Sequence, residues 1–99
     1  MTDTAATVKI TIEFFGTPRL LSGRKEVQLE LPGRVSRAEL VRALSEVCPA
    51  LVGPTLREDR SGLQEGYVFN HNGLTFLDEA DIDLQPGDSL LLLSSQAGG

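Results

Sequence analysis

The sequence has few of the residues from which catalytic and metal sites are built. Its 99 residues include one histidine, one cysteine, one tyrosine and no tryptophan. A Ser-His-Asp triad, a Cys-His pair or a multi-histidine metal site therefore has little material to draw on. Neither a glycine-rich phosphate loop nor an HExxH pattern is present. We expect a protein that is not an enzyme and that holds no metal and no permanently bound cofactor.

Long apolar runs and basic charge are also scarce. No run approaches the roughly 20 apolar residues that span a bilayer, and residues 1–6 lack the basic and apolar regions of a signal peptide. We therefore expect a cytoplasmic protein that does not bind membranes. Fourteen acidic residues against nine basic ones give a formal net charge of −5, which opposes nucleic-acid binding and favours a basic surface on a protein partner.

The isolated reactive side chains are predicted to be structural. Cys48 falls on the apolar stripe of a predicted helix, where a buried small hydrophobe is expected rather than a reactive thiol. His71 falls at a predicted turn, and we expect it to be solvent-exposed because no second histidine is present to share a metal. The carboxylates of Glu58 and Asp59 and of residues 78–83 lie in polar segments, which favours a solvated surface over an acid–base pair.

Two alternating patterns near the start predict a pair of antiparallel strands. Apolar and polar residues alternate over residues 8–14 and again over residues 27–31, the period of a strand with one buried face. Between them, Gly16, Pro18, Ser22 and Gly23 break the pattern. The sequence therefore predicts an antiparallel hairpin with a rather long loop.

A helix is predicted to begin after Ser36. Ser36 and Glu39 form a capping-box pattern, in which each side chain accepts a hydrogen bond from a free backbone N–H at the helix start. Pro49 ends the pattern. Ser45 is expected to point away from the core. The apolar face is predicted to consist of Leu40, Val41, Leu44, Val47 and Cys48.

The second half predicts a connection and three strands. Residues 49–66 have the composition of a surface connection with one short helical turn. Residues 67–69 and 74–77 resemble two short strands around a turn at residues 70–73. After the turn signal of residues 85–88, the leucines at 90–93 are apolar on both faces, as in a central strand. The order of these elements predicts an α+β domain, a mixed sheet of four to five strands with one main helix on one face.

Several of these pieces together resemble the ubiquitin-like β-grasp sulfur carriers. This family, of the MoaD/ThiS type, includes the small subunit of molybdopterin synthase and the thiamin-pathway carrier. The matching pieces are Phe14-Phe15-Gly16 leading to Arg19 and Leu20, the helix after Ser36, Phe69-Asn70 with Asn72-Gly73, Pro86-Gly87-Asp88, Leu90 to Leu93, and the terminal Gly98-Gly99.

The resemblance implies a β-grasp domain over residues 1–94 and a flexible tail over residues 95–99. It implies that an E1-like adenylyltransferase uses ATP to adenylate Gly99, beside Gly98, and that a thiocarboxylate then forms there. That sulfur would pass to a synthase in molybdopterin, thiamin, thionucleoside or cysteine biosynthesis. Partner contacts are expected from the outward leucines and the tail: Leu91, Leu93, Ser95, Gln96 and Ala97.

Two features separate this sequence from the family pattern. Residues 49–66 are longer than in the shortest carriers, and residues 94–97 lack the proline that often precedes Gly-Gly in molybdopterin synthase small subunits. The resemblance therefore favours a sulfur carrier in general over molybdenum cofactor synthesis in particular. Two alternatives stay open: a ubiquitin-like modifier joined through Gly99 to lysines of target proteins, and a plain interaction domain.

Overall fold

The computed structural model describes residues 7–71, 75–76 and 81–94. In chain order, the strands are β1 (Thr7–Phe14), β2 (Glu26–Pro32), β3 (Arg34–Val35), β4 (Tyr67–His71), β5 (Thr75–Phe76), β6 (Ile82–Asp83) and β7 (Ser89–Ser94). The helices are α1 (Thr17–Ser22) and α2 (Arg37–Val47), and a 3-10 turn follows at Pro49–Leu51.

The main sheet has five strands in the order β2-β1-β7-β4-β5. β1 runs antiparallel to β2 and parallel to β7, and β7 runs antiparallel to β4. β7, the last strand of the described residues, is therefore central, as its four leucines predicted. The mixed sheet and the single main helix confirm the predicted α+β class.

The core lies between one face of this sheet and α2. Alternate residues of the three middle strands are buried, among them Ile12, Phe69, Leu90 and Leu92, and they form one cluster with Leu40 and other residues of α2. Full burial of one such side chain stabilises the fold by roughly 1.5–3 kcal/mol. Strand alternation and the helical stripe thus meet in a single core.

The start of α2 confirms the capping box. The backbone N–H of Glu39 donates to Ser36 Oγ at 3.1 Å, and the backbone N–H of Ser36 donates to Glu39 Oε1 at 2.8 Å. The hydrogen bond from the Ser36 backbone lowers the pKa of the Glu39 carboxyl below its ordinary value, and the Ser36 side chain adds to the effect. Two backbone donors that lack intrahelical partners are satisfied in this way.

The predicted helix face was wrong at its two edges. Ser45 is buried and its hydroxyl donates to the Arg42 carbonyl at 2.7 Å, whereas Val47 is 39% exposed. Successive residues turn by about 100° around the helix, so the buried arc extends from Leu40 past Val41 to Ser45. Val47 falls just outside the Leu40 edge of that arc.

Cys48 is buried, as predicted. Its side chain is 4% exposed and joins the core cluster. Desolvation raises the pKa of the Cys48 thiol, with a smaller opposing effect from the positive charge of Arg24. Because the thiolate is the nucleophilic form, burial and the raised pKa both disfavour reaction at Cys48.

Residues 49–66 are not merely the surface connection that composition predicted. The short helical turn is present at Pro49–Leu51, but Leu51, Leu56 and Leu63 are buried in the core. Isolated bridges join Leu56 to Val52 and to Leu63. The segment therefore folds back on itself and closes one side of the core.

A second small sheet was not predicted. β3 pairs antiparallel with β6, and Val35 lies opposite Ile82. Ile82 is buried, and Arg34 contacts Asp83 at 3.0 Å and Asp81 at 3.6 Å on the surface. Ile82 and Asp83 of the acidic segment thus form a strand, and the side chain of Ile82 anchors this strand in the core.

The predicted second hairpin is present, although its first strand is longer than expected. β4 extends through Asn70 and His71, which we expected in the turn, and β5 pairs with it antiparallel. The Asn72-Gly73 part of the turn lies outside the described residues.

Replacing Ser36 with alanine should lower the free energy of unfolding by about 1 kcal/mol, because the Glu39 backbone N–H loses its acceptor. Chemical denaturation monitored by circular dichroism measures the change. Ser36→Thr keeps the hydroxyl acceptor and should stay close to wild type. Equal stability of all three chains would show that the cap contributes nothing.

Candidate functional site

The end of β7 is hydrogen-bonded to both neighbouring strands, β1 and β4. Leu92 lies opposite Phe14 of β1 and Phe69 of β4, and Ser94 lies opposite Tyr67. The backbone N–H of Phe15 also donates to the Leu92 carbonyl at 3.1 Å, one residue past the end of β1. Ser94, from which the proposed tail departs, is therefore fixed by pairing with β4.

The start of β7 is set by the turn before it. Gly87 has φ of 85°, in the left-handed region that glycine adopts without strain. Its backbone N–H donates to the Lys9 carbonyl at 2.9 Å, and the Asp88 carbonyl accepts from Thr11 at 3.0 Å. The Pro-Gly-Asp pattern thus joins the last strand to the first and sets their register.

His71 was predicted as an exposed turn residue, and that prediction was wrong. It is the last residue of β4, its side chain is 21% exposed, and its Nε2 lies 2.9 Å from Asp88 Oδ2. The same carboxylate oxygen accepts a hydrogen bond from the Gln85 backbone at 2.9 Å. His71 and Asp88 therefore brace the turn against β4.

The two faces of β7 differ as its alternation predicted. Leu90 and Leu92 are buried, and Leu91 and Leu93 lie half-buried on the opposite face. Val68, which the sequence did not single out, lies opposite Leu93 and is also half-buried. The structure therefore brings three apolar side chains together on the sheet face away from the core.

Carboxylates border these apolar residues. Glu13 lies opposite Leu91 on one side and opposite Glu26 on the other. Both glutamates are exposed. This part of the sheet face combines apolar surface with negative charge, which suits a partner with a basic rim.

The connection between β1 and β2 is more ordered than predicted. Gly16, with φ of 72°, turns the chain, and Pro18 occupies the first turn of α1. Gly23 closes the helix in the left-handed conformation, and its N–H donates to the Arg19 carbonyl. The residues taken as breakers are thus the start and stop signals of a short helix, proline at the start and glycine just past the end.

The tail residues named from the sequence lie outside the described residues. They are Ser95, Gln96, Ala97, Gly98 and Gly99. Of the predicted site, the structure therefore places Leu91 and Leu93 and the strand from which the tail continues.

The described residues offer no candidate metal site. None of their His, Cys, Asp and Glu side chains forms a group of three or more that could hold a metal ion. A groove of about 410 Å³ at the start of α2 is lined by Ser36, Arg37, Ala38, Arg57, Ser61, Gly62 and Leu63. That lining contains neither an acid–base pair nor a thiol.

Within the described part of the chain, no helix has the length and apolar character needed to cross a membrane.

The order of elements defines a ubiquitin-like β-grasp fold. SAMP1 from Haloferax volcanii matches with a TM-score of 0.74 and 21% identity over 92% of this chain and 99% of that chain. A Pyrococcus furiosus protein provisionally described as molybdopterin converting factor subunit 1 matches with a TM-score of 0.64 and 22% identity, over 88% and 97%.

Urm1 from Trypanosoma brucei matches with a TM-score of 0.57 and 20% identity over 97% of this chain and all of that chain. No family model matches the sequence, and no curated protein matches it either. At these identities the similarity establishes the fold.

The register of β7 predicts opposite results for neighbouring leucines. Leu92→Glu buries a charge in the core and should lower the free energy of unfolding by about 4 kcal/mol. Leu93→Glu places the carboxylate on the half-buried face away from the core and should cost about 1 kcal/mol or less. Thermal and urea unfolding of both variants measures the difference, and similar losses would contradict the register.

Proposed function

We propose that the chain is a sulfur carrier that works through Gly99, activated by an E1-like enzyme, and that it is not itself an enzyme. The observation that carries the proposal is the position of Gly98-Gly99 a few residues beyond a central strand of a β-grasp domain. The likeness to a molybdopterin converting factor subunit and to Urm1 supports it. The cytoplasm is the expected compartment.

The chemistry explains why an activating enzyme is needed. A carboxylate is a poor electrophile, so the Gly99 carboxylate attacks the α-phosphate of ATP and pyrophosphate leaves. A sulfur nucleophile at the oxidation level of hydrosulfide then attacks the acyl carbon of the adenylate. AMP leaves, and the thiocarboxylate forms. ATP is a substrate of the activating enzyme, so this chain needs no bound cofactor.

The chain contributes position and access. Pairing on both sides of β7 fixes where Ser94 lies, so the partner meets the tail at a defined point. Glycine has no side chain, which allows the backbone to pass close to the walls of a narrow active site. Ser95, Gln96 and Ala97 would lie in the entrance of the partner's active site and contact its walls.

The proposed partner surface is the apolar part of the sheet face away from the core. Leu91, Leu93 and Val68 are half-buried there, and the strand that bears both leucines continues into the tail. The activating enzyme and the sulfur-accepting synthase or target protein would both dock on this face, with basic residues opposite Glu13 and Glu26.

A protein modifier is the second candidate. SAMP1, a small archaeal modifier protein, has the highest TM-score of the three structures described above. The same acyl-adenylate would then end in an isopeptide bond to a lysine of another protein. Lys9 and Lys25 are the only lysines of the chain, which limits polymeric chains. Intact-mass analysis of protein from its native host separates the two, because a carrier gains one sulfur in place of one oxygen.

Deleting Gly99 should abolish adenylation, because the terminal carboxylate then belongs to Gly98 and the tail is one residue too short to reach the α-phosphate of ATP. ATP–pyrophosphate exchange with the activating enzyme of the same organism measures the loss. Glu58→Gln, at an exposed position of the 49–66 segment, leaves the tail unchanged and should retain exchange. Undiminished exchange by the truncated chain would contradict the proposal.

Leu93→Glu should weaken binding to the activating enzyme by about 1–3 kcal/mol, the range expected when an interface anchor is lost. Isothermal titration calorimetry on the folded variant measures this. Arg42→Gln changes the net charge by the same amount at an exposed position of α2, on the opposite side of the sheet, and serves as the control. Equal affinity of the Leu93 variant and wild type would place the partner elsewhere.

A further inference from the structure

Three of the four exposed large apolar side chains in the described part of the chain lie around α1. Leu20 is 82% exposed, Phe15 55% and Leu21 37%. Of the six residues of α1, only Pro18 is buried. These three side chains, here called the α1 patch, therefore contribute little to the core, and their exposure costs free energy in water.

Basic residues lie within and just after α1 in the sequence. Arg19, Arg24 and Lys25 are exposed, and no acidic residue lies between Glu13 and Glu26 in the sequence. None of the three basic side chains forms an ion pair with the described residues. The segment carries three positive charges in a chain with net charge −5, so its local charge is opposite to that of the whole protein.

The α1 patch adjoins the end of the sheet from which the tail continues. The Phe15 backbone is hydrogen-bonded to Leu92 of β7, and α1 contacts both β7 and the 3-10 turn. Val47, the remaining exposed large hydrophobic side chain in the described residues, lies at the end of α2, just before that turn. A protein that handles the tail would therefore meet the α1 patch as well.

We propose that the α1 patch docks on an acidic surface, with an apolar pocket for Leu20 and Phe15, on the activating enzyme that receives the C-terminal tail. This inference rests on the proposed function and adds a second contact of opposite charge to the one on the sheet face. Net charge favours a basic partner surface on average. The local charge around α1 requires acidic groups at this one position.

A lipid surface fits the same residues less well. Helices that lie on membranes have a broad apolar face over many turns, whereas α1 has six residues. Basic residues near α1 would attract anionic lipids, but the remaining surface of a chain with net charge −5 repels them. The observations therefore favour a protein partner.

The test measures binding of the full chain to the activating enzyme of the same organism by isothermal titration calorimetry. Leu20→Ser, and separately Arg19→Glu combined with Arg24→Glu, should each raise Kd about tenfold or more, the loss expected at interface anchors. Arg42→Glu combined with Arg60→Glu changes the net charge equally. It alters an exposed site on α2 and one in the 49–66 segment, and Kd should change by less than about twofold.

Salt dependence and vesicles complete the test. The affinity of the wild-type chain should fall as salt rises, and the Arg19/Arg24 variant should lose the part of that dependence that comes from the α1 contact. No chain should sediment with phosphatidylglycerol–phosphatidylcholine vesicles. Sedimentation of the wild type that Leu20→Ser abolishes would overturn the proposal in favour of a membrane contact.

The outcomes also separate this inference from the proposed function. If the wild-type chain binds the enzyme and the α1 variants bind equally well, the α1 patch is not the docking site, and the carrier role is untouched. If the wild-type chain neither binds the enzyme nor supports pyrophosphate exchange, the proposed function fails, and this inference fails with it. Thermal unfolding midpoints equal to wild type confirm that the variants are folded.

Discussion

The pairing of β7 between β1 and β4 is the constraint on which the rest of the structure depends. β7, the last strand in the described part of the chain, joins the β1–β2 pair to the β4–β5 pair. The main sheet is therefore continuous only when β7 is in position. Leu90 and Leu92 bring the two halves into one core, and the Gly87–Lys9 hydrogen bond fixes the register at the entrance to the strand. Every proposed contact, on the sheet face, around α1 and in the tail, is located by where this strand ends.

The elements that the sequence predicted well are those with a strong local signal. The alternation of β1 and β2, the Ser36–Glu39 capping box and the four leucines of β7 each follow from one rule of local geometry. The outward direction of Leu91 and Leu93 followed from strand alternation alone. For the candidate site, the sequence therefore predicted the strand and the face, whereas the role of Gly99 rests on the resemblance to sulfur carriers.

The missed elements have signals that depend on the rest of the fold. β3 and β6 are two residues each, too short for any period, and form because they meet in space. Leu51, Leu56 and Leu63 are buried although irregularly spaced among turn residues, since bridges rather than a regular strand position them. The signals for α1 were in the sequence, but proline and glycine mark helix ends and loops alike. Its exposed leucines follow from the tertiary structure, which leaves that helix at the edge of the core.

The position of β7 between β1 and β4 has a mechanical consequence. A pull on Ser94 directed along the strand, away from the sheet, acts on the hydrogen bonds to β1 and β4 together, because these bonds lie across the direction of the force. The ladder is loaded in shear, so no single bond can open first and release the next, as happens when a strand is peeled from an edge. The end of β7 therefore resists a pull along its own direction better than an edge strand resists peeling.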